Sequence, residues 1–149
     1  MSLSISAKLL EAIEKHGEAQ YPEEGAGLIL GYGGREPRLA VQLRPLNNGF
    51  APESRHHRYL IDPWAMMEAE QEAESLGLDV IGVFHSHPDH PAQPSEYDRQ
   101  WAMPWYVYLI TSIDRGKATE TRAWLLNDDH RAFSQETLWD GRSIPDQEA

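Results

Sequence analysis

The chain has 149 residues, enough for one domain of ordinary size with a buried core. Hydrophobic residues make up 40% and charged residues 25%, which excludes a disordered chain, and no window approaches the roughly eighteen consecutive apolar residues of a membrane span. A formal charge of −11, from 24 acidic against 13 basic residues, repels phosphates and argues against nucleic-acid binding; the lack of cysteine removes a thiol nucleophile, a Cys-rich zinc site and iron–sulfur ligation.

Residues 6–20, SAKLLEAIEKHGEAQ, carry Leu9, Leu10, Ala12 and Ile13 near helical spacing, with Ser6 as N-cap and Gly17 near the end. This N-terminal stretch reads as an amphipathic helix and not as a signal peptide, which leaves a cytoplasmic location as the expectation. AGLILGY (26–32) and RLAVQLRPL (38–46) flank a Gly33-Gly34 turn and are expected to form a hairpin. NNGFAPESR reads as a loop, and HHRYLID (56–62) as a third strand. Asp62 then caps a helix with Pro63 in its first position, stopped by Gly77. LDVIGVFHSH (78–87) is almost entirely apolar up to its histidines, the mark of a central strand covered on both faces. A short helix over SEYDRQWAM, strands at 105–113 and 121–127 separated by the turn DRGKAT, and a loose polar tail after about residue 134 complete the chain. The expected fold is α/β or α+β: a single domain over residues 1–149, with a mixed sheet of about six strands and helices packed against it.

His85 and His87 stand two apart at the end of the central strand, so period-two alternation sends both imidazoles to one face. Two such rings can chelate one ion. The proline-rich loop HPDHPAQPSEYD can return Asp98 as a third ligand, and two His with one carboxylate leave a fourth position for water, the pattern of a catalytic zinc. Glu23 and Glu24, just before an apolar strand, are candidate bases. Each feature has a plainer reading. Ser95 and Asp98 fit S-x-x-D, an ordinary helix N-terminus. His90 competes as a ligand or faces solvent, the adjacent His56 and His57 point to opposite faces, and the two glutamates suit a solvated turn.

Taken together, the upstream glutamate, His-Ser-His-Pro, Ser95 and Asp98 at these spacings resemble the JAMM (MPN-plus) metalloprotease motif, and PEEGAGLILG resembles the glutamate segment of that family. The resemblance extends over about residues 6 to 127. It implies a JAMM/MPN-like fold, one Zn²⁺ per chain held by His85, His87 and Asp98, and Glu24 as the base that deprotonates the water and later protonates the leaving amine. It also implies that Ser95 donates to the oxyanion of the tetrahedral intermediate. Ser86, on the opposite face, is expected to be structural, and Pro88 and Pro94 to stiffen the loop. Small bacterial relatives carry cysteine two residues after the glutamate, where this chain has Ala26.

The implied activity is that of a peptidase or isopeptidase cutting after the C-terminal Gly-Gly of a ubiquitin-like or sulfur-carrier protein. Tyr97, Trp101 and Trp105 are candidates to flank the groove for that tail; in the alternative, Trp101 faces the core and Trp105 begins a buried strand. The acidic surface suits a basic face on the carrier, a salty cytosol, or simple solubility. Rival functions are a catalytically inactive scaffold of the same fold and another zinc amidohydrolase.

Overall fold

The computed structural model describes residues 2–47 and 61–140. In chain order these form β1 (Ser2–Ile5), α1 (Ala7–Gln20), β2 (Ala26–Tyr32), β3 (Arg38–Leu46), α2 (Pro63–Ser75), β4 (Asp79–Pro88), α3 (Glu96–Trp101), β5 (Val107–Asp114), β6 (Lys117–Leu126) and β7 (Phe133–Asp140). The helix signals act where they stand in the sequence. Ser6 accepts the Leu9 N–H, Asp62 accepts the Trp64 N–H with Pro63 behind it, and Ser95 accepts the Asp98 N–H.

The strands pair in the order β1-β3-β2-β4-β5-β6-β7, and β1 closes the set into a barrel by pairing in parallel with both β3 and β7. β2 and β3 form the expected antiparallel hairpin. β4 sits centrally, antiparallel to β2 and parallel to β5, so the sheet is mixed. Seven strands are present among the described residues, where the sequence suggests about six. The difference lies in β1 and β7. The stretch expected to be loose after about residue 134 is a strand as far as Asp140, because its backbone pairs with β6 on one side and β1 on the other, and Leu138 packs on the core. The strand expected at 56–62 falls outside the described residues except for Ile61 and Asp62, which lead into α2 without pairing.

Alternation along the central strands divides the core in two. Ile29 and Phe84 face Leu3, Ile5 and Ile13 on the α1 side, whereas Leu28, Leu30 and Val83 face Ala69 and Ala73 on the α2 side. A fully buried leucine or phenylalanine contributes about 1.5–3 kcal/mol through removal of apolar area from water. Gly27 makes the Phe84 packing possible, since a Cβ there would lie 2.3 Å from the Phe84 ring. Arg38, buried at one end of this core, donates to the carbonyls of Ile81 and Trp105 and ties the chain entering β5 to β4.

Candidate metal centre

Pairing between β2 and β4 ends at Ala26 opposite His85, so the turn preceding β2 brings Glu24 to the mouth of β4. On β4, alternation places the His85 and His87 rings on the same face with centroids 5.0 Å apart, as expected. Ser95 starts α3, and one turn of that helix turns Asp98 inward over the two imidazoles. All four are buried: Glu24 is 4% exposed, His85 1%, His87 5% and Asp98 6%.

Contacts link them in a chain. Glu24 Oε1 lies 3.7 Å from His85 Nδ1, His85 Nε2 lies 3.7 Å from Asp98 Oδ1, and His87 Nε2 lies 3.2 Å from Asp98 Oδ2. One donor atom from each of Glu24, His85 and His87 falls within a mutual 4.8 Å. His87 Nδ1 is 2.9 Å from the Pro91 carbonyl, an acceptor only, so Nδ1 carries the hydrogen. With that hydrogen on Nδ1, Nε2 is the ring atom turned into the cluster, where it meets the Asp98 carboxylate and would serve as a ligand once a metal ion displaces its proton, the orientation that a ligating histidine takes from a backbone carbonyl behind it. Asp98 Oδ2 also accepts the Ser95 N–H at 2.8 Å. The carboxylate that caps the helix is thus also the one that meets His87.

The electrostatics favour positive charge between these groups. Burial lowers the His87 affinity for a proton, but the hydrogen bond and charge of Asp98, the charge of Glu24 and the Pro91 carbonyl outweigh it and hold the imidazole above its ordinary pKa. Burial pushes Asp98 up, yet His85, His87 and the Ser95 N–H hold it down, at about 2. Glu24 and the two imidazoles, all buried, form a donor set that fits a divalent metal ion, and Asp98 lies outside that group of three but against both histidines.

The other candidates sort by position. Glu23 is half-buried and outside the metal-competent group, whereas Glu24 is in it. His90 is exposed and offers its carbonyl to the Ser112 hydroxyl. His56 and His57 lie outside the described residues. Ser95 is exposed and lines a separate depression with Gln93, Glu96 and Phe133; its oxygen accepts the Asp98 N–H at 3.0 Å, which leaves the hydroxyl hydrogen free to donate elsewhere. Trp101 and Trp105 are 68% and 58% exposed, so neither faces the core, and β5 begins only at Val107. Together with Tyr97, Met66, Met103 and Tyr106 they line a groove of about 320 Å³ that Asp98 also lines. Burial pushes the Tyr108 phenol in its floor up to about 12, so it stays neutral, and its oxygen accepts the Met103 N–H. The methionine walls come from separate elements, α2 and the chain after α3, so no local pattern joins them. Nor does any side-chain pattern reveal the Pro91 carbonyl.

Comparison with known proteins places these features in a family. Residues 6–127 match the model of the prokaryotic homologs of the JAB domain. A probable TtuB-protein conjugate cleaving protease of Thermus thermophilus is 34% identical over 71% of this chain and 69% of its own. A desampylase of Haloferax volcanii is 34% identical over 75% of this chain and 81% of its own. The solution structure of a protein from Desulfitobacterium hafniense superposes with a TM-score of 0.81 at 26% identity, covering 99% of this chain and 98% of that one. A JAB1/MPN-domain protein from Archaeoglobus fulgidus, at 18% identity, shares the fold with a TM-score of 0.59 over 92% of this chain and 97% of its own.

Proposed function

The chain belongs to the family of prokaryotic homologs of the JAB domain, the JAMM metalloproteases, and from that premise we propose that it is a zinc-dependent peptidase or isopeptidase. Its substrate in this reading is a ubiquitin-like or sulfur-carrier protein, cut after the C-terminal Gly-Gly in the cytoplasm. The observation that carries the proposal is the convergence of Glu24, from the turn before β2, with the two histidines of β4 and Asp98 of α3. The relatives named as a desampylase and a TtuB-conjugate cleaving protease support the substrate class.

His85, His87 and Asp98 would hold the ion. A bound zinc supplies Lewis acidity, polarising the scissile carbonyl and making water acidic enough to be deprotonated near neutral pH. Glu24 takes the proton from the attacking water and delivers it to the leaving amine, a single buried carboxylate serving both steps. Ser95 donates its hydroxyl hydrogen to the oxyanion at the mouth of the site. Pro91 keeps the His87 ring in the tautomer that presents Nε2. Tyr97, Trp101 and Trp105 receive the extended tail in the groove that they line together with Asp98. A basic face on the carrier would complement the net charge of −11, and the rate at low substrate should then fall as salt is added.

Zinc stoichiometry by native mass spectrometry, paired with cleavage of a ubiquitin-fold protein extended past its Gly-Gly, tests the reading. One zinc in wild type and in His90→Ala, none in Asp98→Ala, and no cleavage by zinc-loaded Glu24→Gln are expected. A fully active Glu24→Gln would remove the proposed base. A wild type that binds no zinc would remove the enzyme reading altogether.

A further inference from the structure

Ser86 stands between the two histidines on β4, but its side chain turns away from them toward α1. It is 2% exposed. Its backbone N–H donates to the Gly25 carbonyl at 3.0 Å, and its hydroxyl oxygen accepts the Gly25 N–H at 2.8 Å. A regular antiparallel pair would exchange two backbone bonds here. The second of them is replaced by a bond to the side chain, just where the β2–β4 ladder ends at Ala26 opposite His85. The substitution lets the chain leave the sheet at Gly25 without stranding a buried amide, and the next residue back is Glu24.

The serine side chain lies close against α1. α1 crosses directly behind it at Gly17, where a Cβ would lie 3.0 Å from Ser86 Cβ and 2.9 Å from Ile113 Cδ1. The hydroxyl is therefore wedged between helix and turn, and the peptide linking Glu24 to Gly25 is held by a buried group that belongs to the metal strand itself. A second contact ties the start of the same turn to the end of the same strand, since the Tyr21 hydroxyl donates to Asp89 at 2.6 Å. That one is exposed, whereas the Gly25–Ser86 bond is buried.

We infer that Ser86 is a positioning residue for Glu24, its hydroxyl holding the Gly25 amide so that the Glu24 carboxylate is registered against His85. The inference rests on the reading of Glu24 as the proton-transfer group. A displacement of about 1 Å at such a group costs up to roughly a hundredfold in rate. The Ser86 side chain faces away from both imidazoles, so its loss acts on turnover and leaves zinc and substrate binding alone.

The test compares wild type, Ser86→Ala and Ser86→Thr as zinc-loaded full-length protein. The substrate is a ubiquitin-fold protein carrying an aminocoumarin on its C-terminal Gly-Gly, and hydrogen exchange is followed at the Gly25 amide. Ser86→Ala is expected to lower kcat about tenfold to a hundredfold. KM and zinc affinity should stay within about threefold, and Gly25 should exchange at least tenfold faster while the β5 amides keep their protection. Ser86→Thr keeps the acceptor and should retain both Gly25 protection and most of the turnover. An undiminished kcat in Ser86→Ala would overturn the inference, as would lost zinc, or exchange rising equally throughout the protein. If Ser86→Ala does not fold, a Ser86→Thr protein with protected Gly25 and a kcat reduced more than tenfold would overturn it instead. Activity in Glu24→Gln is the separate sign that the base itself is misassigned.

Discussion

The two faces of β4 divide the work of the protein. Toward α1 the strand presents Phe84 and Ser86, packed against Ile13, Gly17 and Ile113. Toward α2 and α3 it presents Val83, His85 and His87, and beyond Val83 that face holds buried imidazoles set against the Asp98 carboxylate. Both faces are equally dry. What differs is compensation: the apolar face gains from burial itself, while the polar face carries desolvated imidazoles and carboxylates that a cation would satisfy. One strand thus carries the two imidazoles on one face and is anchored by the packing of the other.

Mutations on each face should separate stability from chemistry. The largest effect is expected from Glu24→Gln, with cleavage falling about 10²–10⁴-fold while zinc is retained, read by kcat beside metal stoichiometry. Phe84→Ala on the opposite face should cost about 3–5 kcal/mol in urea unfolding of the metal-free protein. A site that loses zinc in that variant before the fold loosens would blur the division. Asp98→Ala should weaken zinc by about a hundredfold or more, taking one ligand's share of the roughly 10–16 kcal/mol of a full zinc site. It also removes one side of the α3 capping box, which by itself is worth about 1 kcal/mol of stability. Chelator competition and urea unfolding separate the two losses. Trp101→Ala and Trp105→Ala should raise KM about tenfold, roughly 1–2 kcal/mol each, with kcat and stability little changed. A lowered kcat at constant KM would move those tryptophans from binding the tail to aligning it.

The site was more legible in the sequence than the barrel around it. His85 and His87 share a face because a strand alternates, and that follows from spacing alone. Asp98 reads twice in the sequence, as a helix cap and as a candidate ligand; the structure shows the cap, and the same carboxylate lies buried against His87. Choosing Glu24 over Glu23 required the family pattern, because neighbouring glutamates in a turn carry no periodicity. β1 and β7 were missed for a different reason. SLSI is too short to announce a strand, and FSQETLWD is polar enough to read as a tail. β1 becomes a strand by pairing with β3 and β7, and β7 by pairing with β6 and, across almost the whole chain, with β1.

Local chemistry in the sequence therefore determined the helix starts, the buried central strand, the pair of imidazoles and the loop that returns a carboxylate to them. These depend on capping, alternation and short loops, interactions that span a few residues and act wherever the residues stand. Only the tertiary structure decided that the sheet closes, that Trp101 and Trp105 face a groove and not the core, and that the Ser86 hydroxyl takes the place of a ladder bond under Glu24. Those features join segments that lie far apart in the chain, and a hydroxyl, an indole or a short polar strand acquires its role from the partner that folding brings to it.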